Sequence, residues 1–84
     1  MTAPARAAVE ATVWQVVGSI LPAVPREQIR GDKHPRELGA DSVDRVEIVM
    51  TLLDQLRIDR PLSDFNDLRD LDHLVTVLLA SERN

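Results

Sequence analysis

The chain has no cysteine among its 84 residues, which excludes disulfides and thiolate metal sites and leaves core packing alone to hold the fold. It also has no tyrosine, and its aromatic residues are confined to Trp14 and Phe65. A stacking platform for nucleobases is therefore missing. No apolar run reaches the length of a bilayer-spanning helix, and the N-terminus lacks the charged-then-apolar order of a signal peptide. With no thiol to oxidise, the chain fits a reducing compartment, and a cytoplasmic location is expected. A length of 84 residues makes one domain, near the size at which a single core just suffices. Met1 and the short termini are read as those of a free-standing protein, with an excised domain as the alternative, and a monomer is expected.

Charge is the next constraint. The net charge is −4, but residues 1–40 carry +1 and residues 41–84 carry −5. Such a surface repels nucleic acid and anionic membranes and favours protein partners with basic patches.

Apolar residues recur at helical spacing in three segments. A first helix is expected over about 5–20, with Val9, Val13, Val16, Val17 and Ile20 on its core face and Trp14 covering its edge. Pro22 and Pro25 stop it. The loop over 21–41 is long for so small a domain, and Val24, Ile29 and Leu38 read as its anchors, with a brief turn at Glu27–Ile29. A second helix follows over about 42–56. Val46, Val49, Met50, Leu53 and Leu56 make one face, widened by Ile48 and Leu52, so this helix is expected at the centre of the bundle. Asp44, Arg45, Glu47, Asp54 and Arg57 make its outer face. Pro61 breaks the chain, and a single helical turn is expected over about 63–66, with Ser63 capping and Phe65 pointing inward. Asp70 reads as the cap of a last helix over about 70–82, whose inner face is Leu71, Leu74, Val75, Leu78 and Leu79. Ser81–Asn84 reads as a frayed polar tail after the short lead-in Met1–Pro4. With no strand pattern, the fold class is all-α: a four-helix bundle of three main helices and one short helix, with a long first loop.

Little in the chain supports catalysis. His34 and His73 fit no metal-ligand spacing and read as ordinary surface residues. Asp67, Asp70 and Asp72 lack the glycine and glutamate of a calcium loop. Ser42 lacks the Gly-x-Ser-x-Gly elbow of hydrolases. Neither a catalytic residue nor a metal ligand is assigned.

The informative stretch is Leu38-Gly39-Ala40-Asp41-Ser42-Val43-Asp44. Gly39 tolerates the positive φ of a tight entry turn. Asp41 or Ser42 can cap the helix that follows. A serine hydroxyl there sits at the positive end of the helix dipole, a suitable place for a phosphate ester. The same pair also serves as a plain helix cap, and the residues alone leave both readings open.

The segment Glu37–Met50, with its Leu-Gly pair, Asp41-Ser42 and following acid, resembles the phosphopantetheine attachment region of acyl carrier proteins. The long first loop, the break at Pro61 and the run Asp70-Leu71-Asp72-His73-Leu74-Val75 extend the resemblance over almost the whole chain. It implies an acyl-carrier-like bundle in which Ser42 receives phosphopantetheine from coenzyme A through a magnesium-dependent transferase. The arm would hold acyl groups as thioesters and deliver them to partner enzymes. By the same resemblance Asp41 flanks and caps, while Asp44, Arg45, Glu47 and Asp54 meet partners. Val43, Val46 and Met50 contact the arm or its cargo. Arg45, Leu53-Asp54-Gln55-Leu56 and Asp59-Arg60-Pro61-Leu62 depart from the fatty-acid pattern. The string Ser42–Met50 is instead similar to discrete carriers of bacterial polyketide synthases, and among them to acetyl donors of β-branching cassettes. Implied partners are the phosphopantetheinyl transferase and an acyltransferase, a ketosynthase or a hydroxymethylglutaryl-synthase-like enzyme. The alternatives are a peptidyl carrier of nonribosomal peptide synthesis, a non-catalytic helical adaptor in which Ser42 is only a cap, and a small serine hydrolase.

Overall fold

The valine stripe of the first helix organises the chain. The computed structural model describes residues 5–82; the Met1–Pro4 lead-in and the last two tail residues lie outside them. Helix α1 spans Ala5–Ile20 and buries Val9, Val13, Val16 and Val17, with Trp14 and Ile20 half-buried at its edges. Its last bond runs from the Leu21 N–H to the Val17 carbonyl at 2.8 Å. Pro22 has no N–H to continue the ladder.

The long connection that follows is packed rather than free. It holds two 3₁₀ turns, Arg26–Gln28 and Pro35–Leu38, and buries Ile29, Pro35, Leu38 and Ala40. Its middle also caps another helix. The Asp72 and Leu71 N–H groups donate to the Gly31 and Lys33 carbonyls at 2.8 and 3.0 Å, satisfying donors that every helix start leaves open. The fit is tight: a Cβ on Gly31 would run into the Asp72 carboxylate. That carboxylate also pairs with Arg6 across the helices at 3.6 Å.

Helix α2 covers Ser42–Leu56 and ends at Arg57, whose φ of 57° makes a left-handed cap. The Leu62–Phe65 segment is a single 3₁₀ turn that buries Phe65. Helix α3 covers Leu71–Glu82 and buries Leu71, Leu74, Val75 and Leu78. Among the described residues there is no strand, and no helix is long and apolar enough to cross a membrane.

Several expectations need correction. The central helix is α1, not α2: α1 packs along both α2 and α3, whereas α2 meets α1 on one side and the Leu62–Phe65 turn on the other. The buried face of α2 is accordingly narrower than its apolar content suggests. Ile48, Val49 and Leu52 are buried and Leu53 and Leu56 half-buried, but Val43, Val46 and Met50 are 72%, 46% and 54% exposed. Ser63 lies inside its turn and caps nothing; Pro61 precedes the turn with no side-chain cap. Ser81 is not frayed. It is buried in α3, its hydroxyl donating to the Val77 carbonyl at 2.9 Å.

The histidines are not plain surface residues either. His34 Nδ1 accepts from the Arg36 N–H at 2.9 Å while Glu37 Oε1 accepts from the His34 N–H at 2.8 Å, a complete capping box. His73 Nδ1 accepts from the Arg69 N–H at 3.2 Å, and the His73 N–H donates to Asp70 Oδ1 at 2.8 Å. Both imidazoles satisfy backbone donors at element starts.

Leu52 is fully buried on the α1-facing side of α2. Replacing it by alanine should cost about 3 kcal/mol of stability, read as a lowered urea midpoint at unchanged m-value; a loss below about 1 kcal/mol would contradict this packing.

Candidate functional site

The start of α2 is built by its approach. Gly39, at φ 92°, turns the chain out of the Pro35–Leu38 turn. The Ala40 N–H then donates to the Pro35 carbonyl at 3.1 Å. Asp41 follows in extended conformation, and its Oδ1 accepts from the Asp44 N–H at 2.8 Å. Asp44 Oδ2 accepts in return from the Asp41 N–H at 3.4 Å. The Asp41-Ser42-Val43-Asp44 run is thus a reciprocal capping box made of two aspartates, a variant of the Ser/Thr…Glu form.

This cap decides the state of Ser42. Asp41 occupies the capping position, so Ser42 is the first residue within α2 and its exposed hydroxyl takes no part in the cap. The box serves the N–H groups of Asp41 and Asp44; those of Ser42 and Val43 have no intrahelical acceptor. The hydroxyl therefore projects beside open donors at the positive end of the helix.

Two apolar depressions meet at Ser42, and both include Val46. One is an open strip along the exposed side of α2, formed by Val43, Val46 and Met50 with Glu47, Thr51 and Asp54 beside them. The other is a more enclosed groove of about 270 Å³. It runs between α2 and the Leu62–Phe65 turn toward Leu74 of α3, with His34 and Pro35 at its side. The groove exists because α2 and α3 are held apart, each packed on α1.

The structure divides the residues singled out from sequence. Val43, Val46 and Met50 share the exposed strip with Glu47 and Asp54. Asp44 is half-buried, with one carboxylate oxygen engaged in the cap. Arg45 is not on the outer face: it stands one turn before Ile48 and Val49 on the inner stripe and lines the groove. Its Nε is buried and has no hydrogen-bond partner among the described residues. His34, Leu62, Phe65 and Asn66 also line the groove. They are distant from Ser42 in the chain, so no local pattern assigns them to the site. Only the capping role of His34 was readable, from a His-Pro-Arg-Glu run with glutamate three residues on. No group of three or more His, Asp or Glu side chains able to hold a metal ion occurs among the described residues.

Comparison with known families adds one finding. A family model described as a phosphopantetheine attachment site matches residues 11–78, from within α1 to within α3. No curated protein and no solved structure gives a significant match.

The cap geometry makes a stability prediction. Asp41→Ala should lower stability by about 1 kcal/mol, whereas Ser42→Ala should change it by less than about 0.5 kcal/mol. Chemical denaturation of the two variants checks this; an equal loss in both would return Ser42 to the cap.

Proposed function

The chain belongs to the phosphopantetheine attachment family, whose cofactor is covalently bound phosphopantetheine, and from that premise we propose that it is an acyl carrier protein of polyketide biosynthesis with Ser42 as the attachment residue. The observation that carries the assignment is the exposed Ser42 hydroxyl at the start of α2, released from capping by Asp41. A hydroxyl can form a phosphate ester, and the open N–H groups beside it suit the ester's negative charge. The apolar depressions on either side of Ser42 suit the uncharged remainder of such a group. When bound, phosphopantetheine supplies a long flexible arm ending in a thiol that carries an acyl group.

The chain's own residues position and present; they make no bond. Asp41 and Asp44 hold the start of α2 in one conformation, so Ser42 enters a transferase active site without unfolding the bundle. Glu47 and Asp54, beside the apolar strip of Val43, Val46 and Met50, form the surface that basic patches on partner enzymes meet. Asp44 flanks this surface at the helix start, while Arg45 lies on the groove side. The partners are a phosphopantetheinyl transferase, which takes the arm from coenzyme A, and acyl-handling enzymes such as an acyltransferase or a ketosynthase. The protein acts in the cytoplasm. The narrowest form of the proposal, supported by the similarity of Ser42–Met50 to such carriers, is an acetyl donor to a hydroxymethylglutaryl-synthase-like enzyme.

The rival readings have less support. An adaptor with Ser42 as cap loses its basis once Asp41 holds that position. A hydrolase needs a base for Ser42, and Nδ1 of His34, the histidine lining the groove, is committed to the Arg36 N–H. A peptidyl carrier has the same fold and serine; the acidic α2 surface favours the acyl form.

Intact mass after incubation with coenzyme A and a promiscuous phosphopantetheinyl transferase tests the attachment. Wild type should gain one arm and Ser42→Ala none; a gain in both would move the site elsewhere. On the loaded protein, the double charge reversal Glu47→Lys, Asp54→Lys should slow acyl transfer by a partner roughly tenfold at low salt, and the difference should shrink as salt rises. Transfer at the wild-type rate would remove these acids from the docking surface.

A further inference from the structure

Arg45 is the charged member of an otherwise apolar stripe. Positions 45, 48, 49 and 52 follow the i, i+3, i+4, i+7 spacing of one helix face, and Ile48, Val49 and Leu52 on that face are buried. The side chain of Arg45 is half-buried, and its Nε is closed off from solvent with no acceptor among the described residues. A donor in that state has lost its water without replacement. Native structures keep few such groups, and a working state that supplies the missing acceptor accounts for one.

The surroundings identify where an acceptor would come from. Arg45 lines the enclosed groove together with Ser42, which stands one helical turn before it. A group held at Ser42 can therefore fold back along the groove and meet Arg45 near its mouth. Most of the rest of the bed is apolar, with Val46, Val49, Leu62 and Phe65; His34 and Asn66 are its other polar side chains besides Ser42, and no carboxylate lines it to pair with the guanidinium. A saturated acyl chain would fill this bed and leave Nε unpaired. An acyl chain with a further oxygen would fill it and accept from Nε once the outer torsions of the side chain turn toward it.

We infer that Arg45 is a specificity-determining residue whose Nε–H donates to an oxygen of the carried acyl group, so that the groove favours a short β-oxygenated acyl group over a saturated one of equal length. This rests on the carrier reading, and it favours the general polyketide form over the acetyl-donor form, because an acetyl group has no such oxygen. The arm itself, through its phosphodiester, hydroxyl and amide carbonyls, is another source of acceptor oxygens, and the test separates arm from cargo.

The full chain would be prepared in four states: unmodified, carrying the bare arm, and carrying the arm with a hydrolysis-resistant acetoacetyl or butyryl mimic. Intact mass first establishes loading at Ser42; failure to load would overturn the carrier reading and this inference with it. In the loaded states, the Arg45 Nε–H resonance is followed by ¹H–¹⁵N correlation spectroscopy and its hydrogen exchange is timed. The acetoacetyl form should move the proton downfield and slow its exchange about tenfold relative to the butyryl form. Arg45→Met, which keeps an apolar stem and removes the donor, should erase the difference between the two cargoes in the shifts of Val46 and Phe65. An unchanged Nε–H in a correctly loaded chain, or equal changes with both cargoes, would overturn the inference while leaving the carrier reading intact. A full change already present with the bare arm would assign the contact to an oxygen of the arm itself and likewise overturn it.

Discussion

The buried valine face of α1 is the constraint from which the rest of the architecture follows. Val9, Val13, Val16 and Val17 are short and β-branched, and they let α2 and α3 both settle against one helix. Small bundles have too little apolar surface to close every pair of helices. Here the contact left incomplete is the one between α2 and α3. The Leu62–Phe65 turn fills part of that space with Phe65, and what remains is the groove beside Ser42. An open groove thus arises from how the core is shared out, without any residue being withdrawn from it.

The long loop is the second structural device. A connection of this length would ordinarily carry an entropic cost with little return. In this chain it lays Ile29, Pro35 and Leu38 into the core and lends the Gly31 and Lys33 carbonyls to the start of α3. The His34–Glu37 box then stiffens the last stretch before Gly39. Ser42 is delivered by a segment anchored at several points, so its exposure does not imply looseness. Both properties suit the attachment proposed at Ser42, since a preorganised residue loses less freedom on docking.

Electrostatics complete the site by dividing α2 lengthwise. Glu47 and Asp54 face outward beside apolar residues, the position from which the proposed docking to an oppositely charged partner would be steered. Arg45 faces inward, where a charge is tolerated because the outer part of its side chain keeps access to solvent while its Nε is covered. Two aspartates at the helix start lie at the favourable end of the dipole and also make hydrogen bonds there. A single helix therefore presents an apolar strip edged by acids on one side and a groove lined by Arg45 on the other, with Ser42 at the point where they meet.

Much of this was legible in the residues. The three helices follow from apolar spacing and from Pro22 and Pro61, and the sharp turn before Ser42 follows from Gly39 in Leu-Gly-Ala-Asp-Ser. Asp70 as a cap follows from local chemistry as well. These are short-range effects, and a few neighbouring residues contain all the information they need. The assignment of apolar residues on α2 to core or surface was different. Val46 and Met50 have the same local pattern as Val49, yet the latter is buried and the former two are exposed. The distinction depends on which side α1 occupies. The same holds for Arg45, polar in composition but inward in place, and for Ser81, tail-like in sequence but buried. Local sequence determined where helices begin and end and which serine stands at a helix start. The tertiary structure alone decided which face of α2 is covered and which residues meet around that serine, because burial is set by packing between segments far apart in the chain.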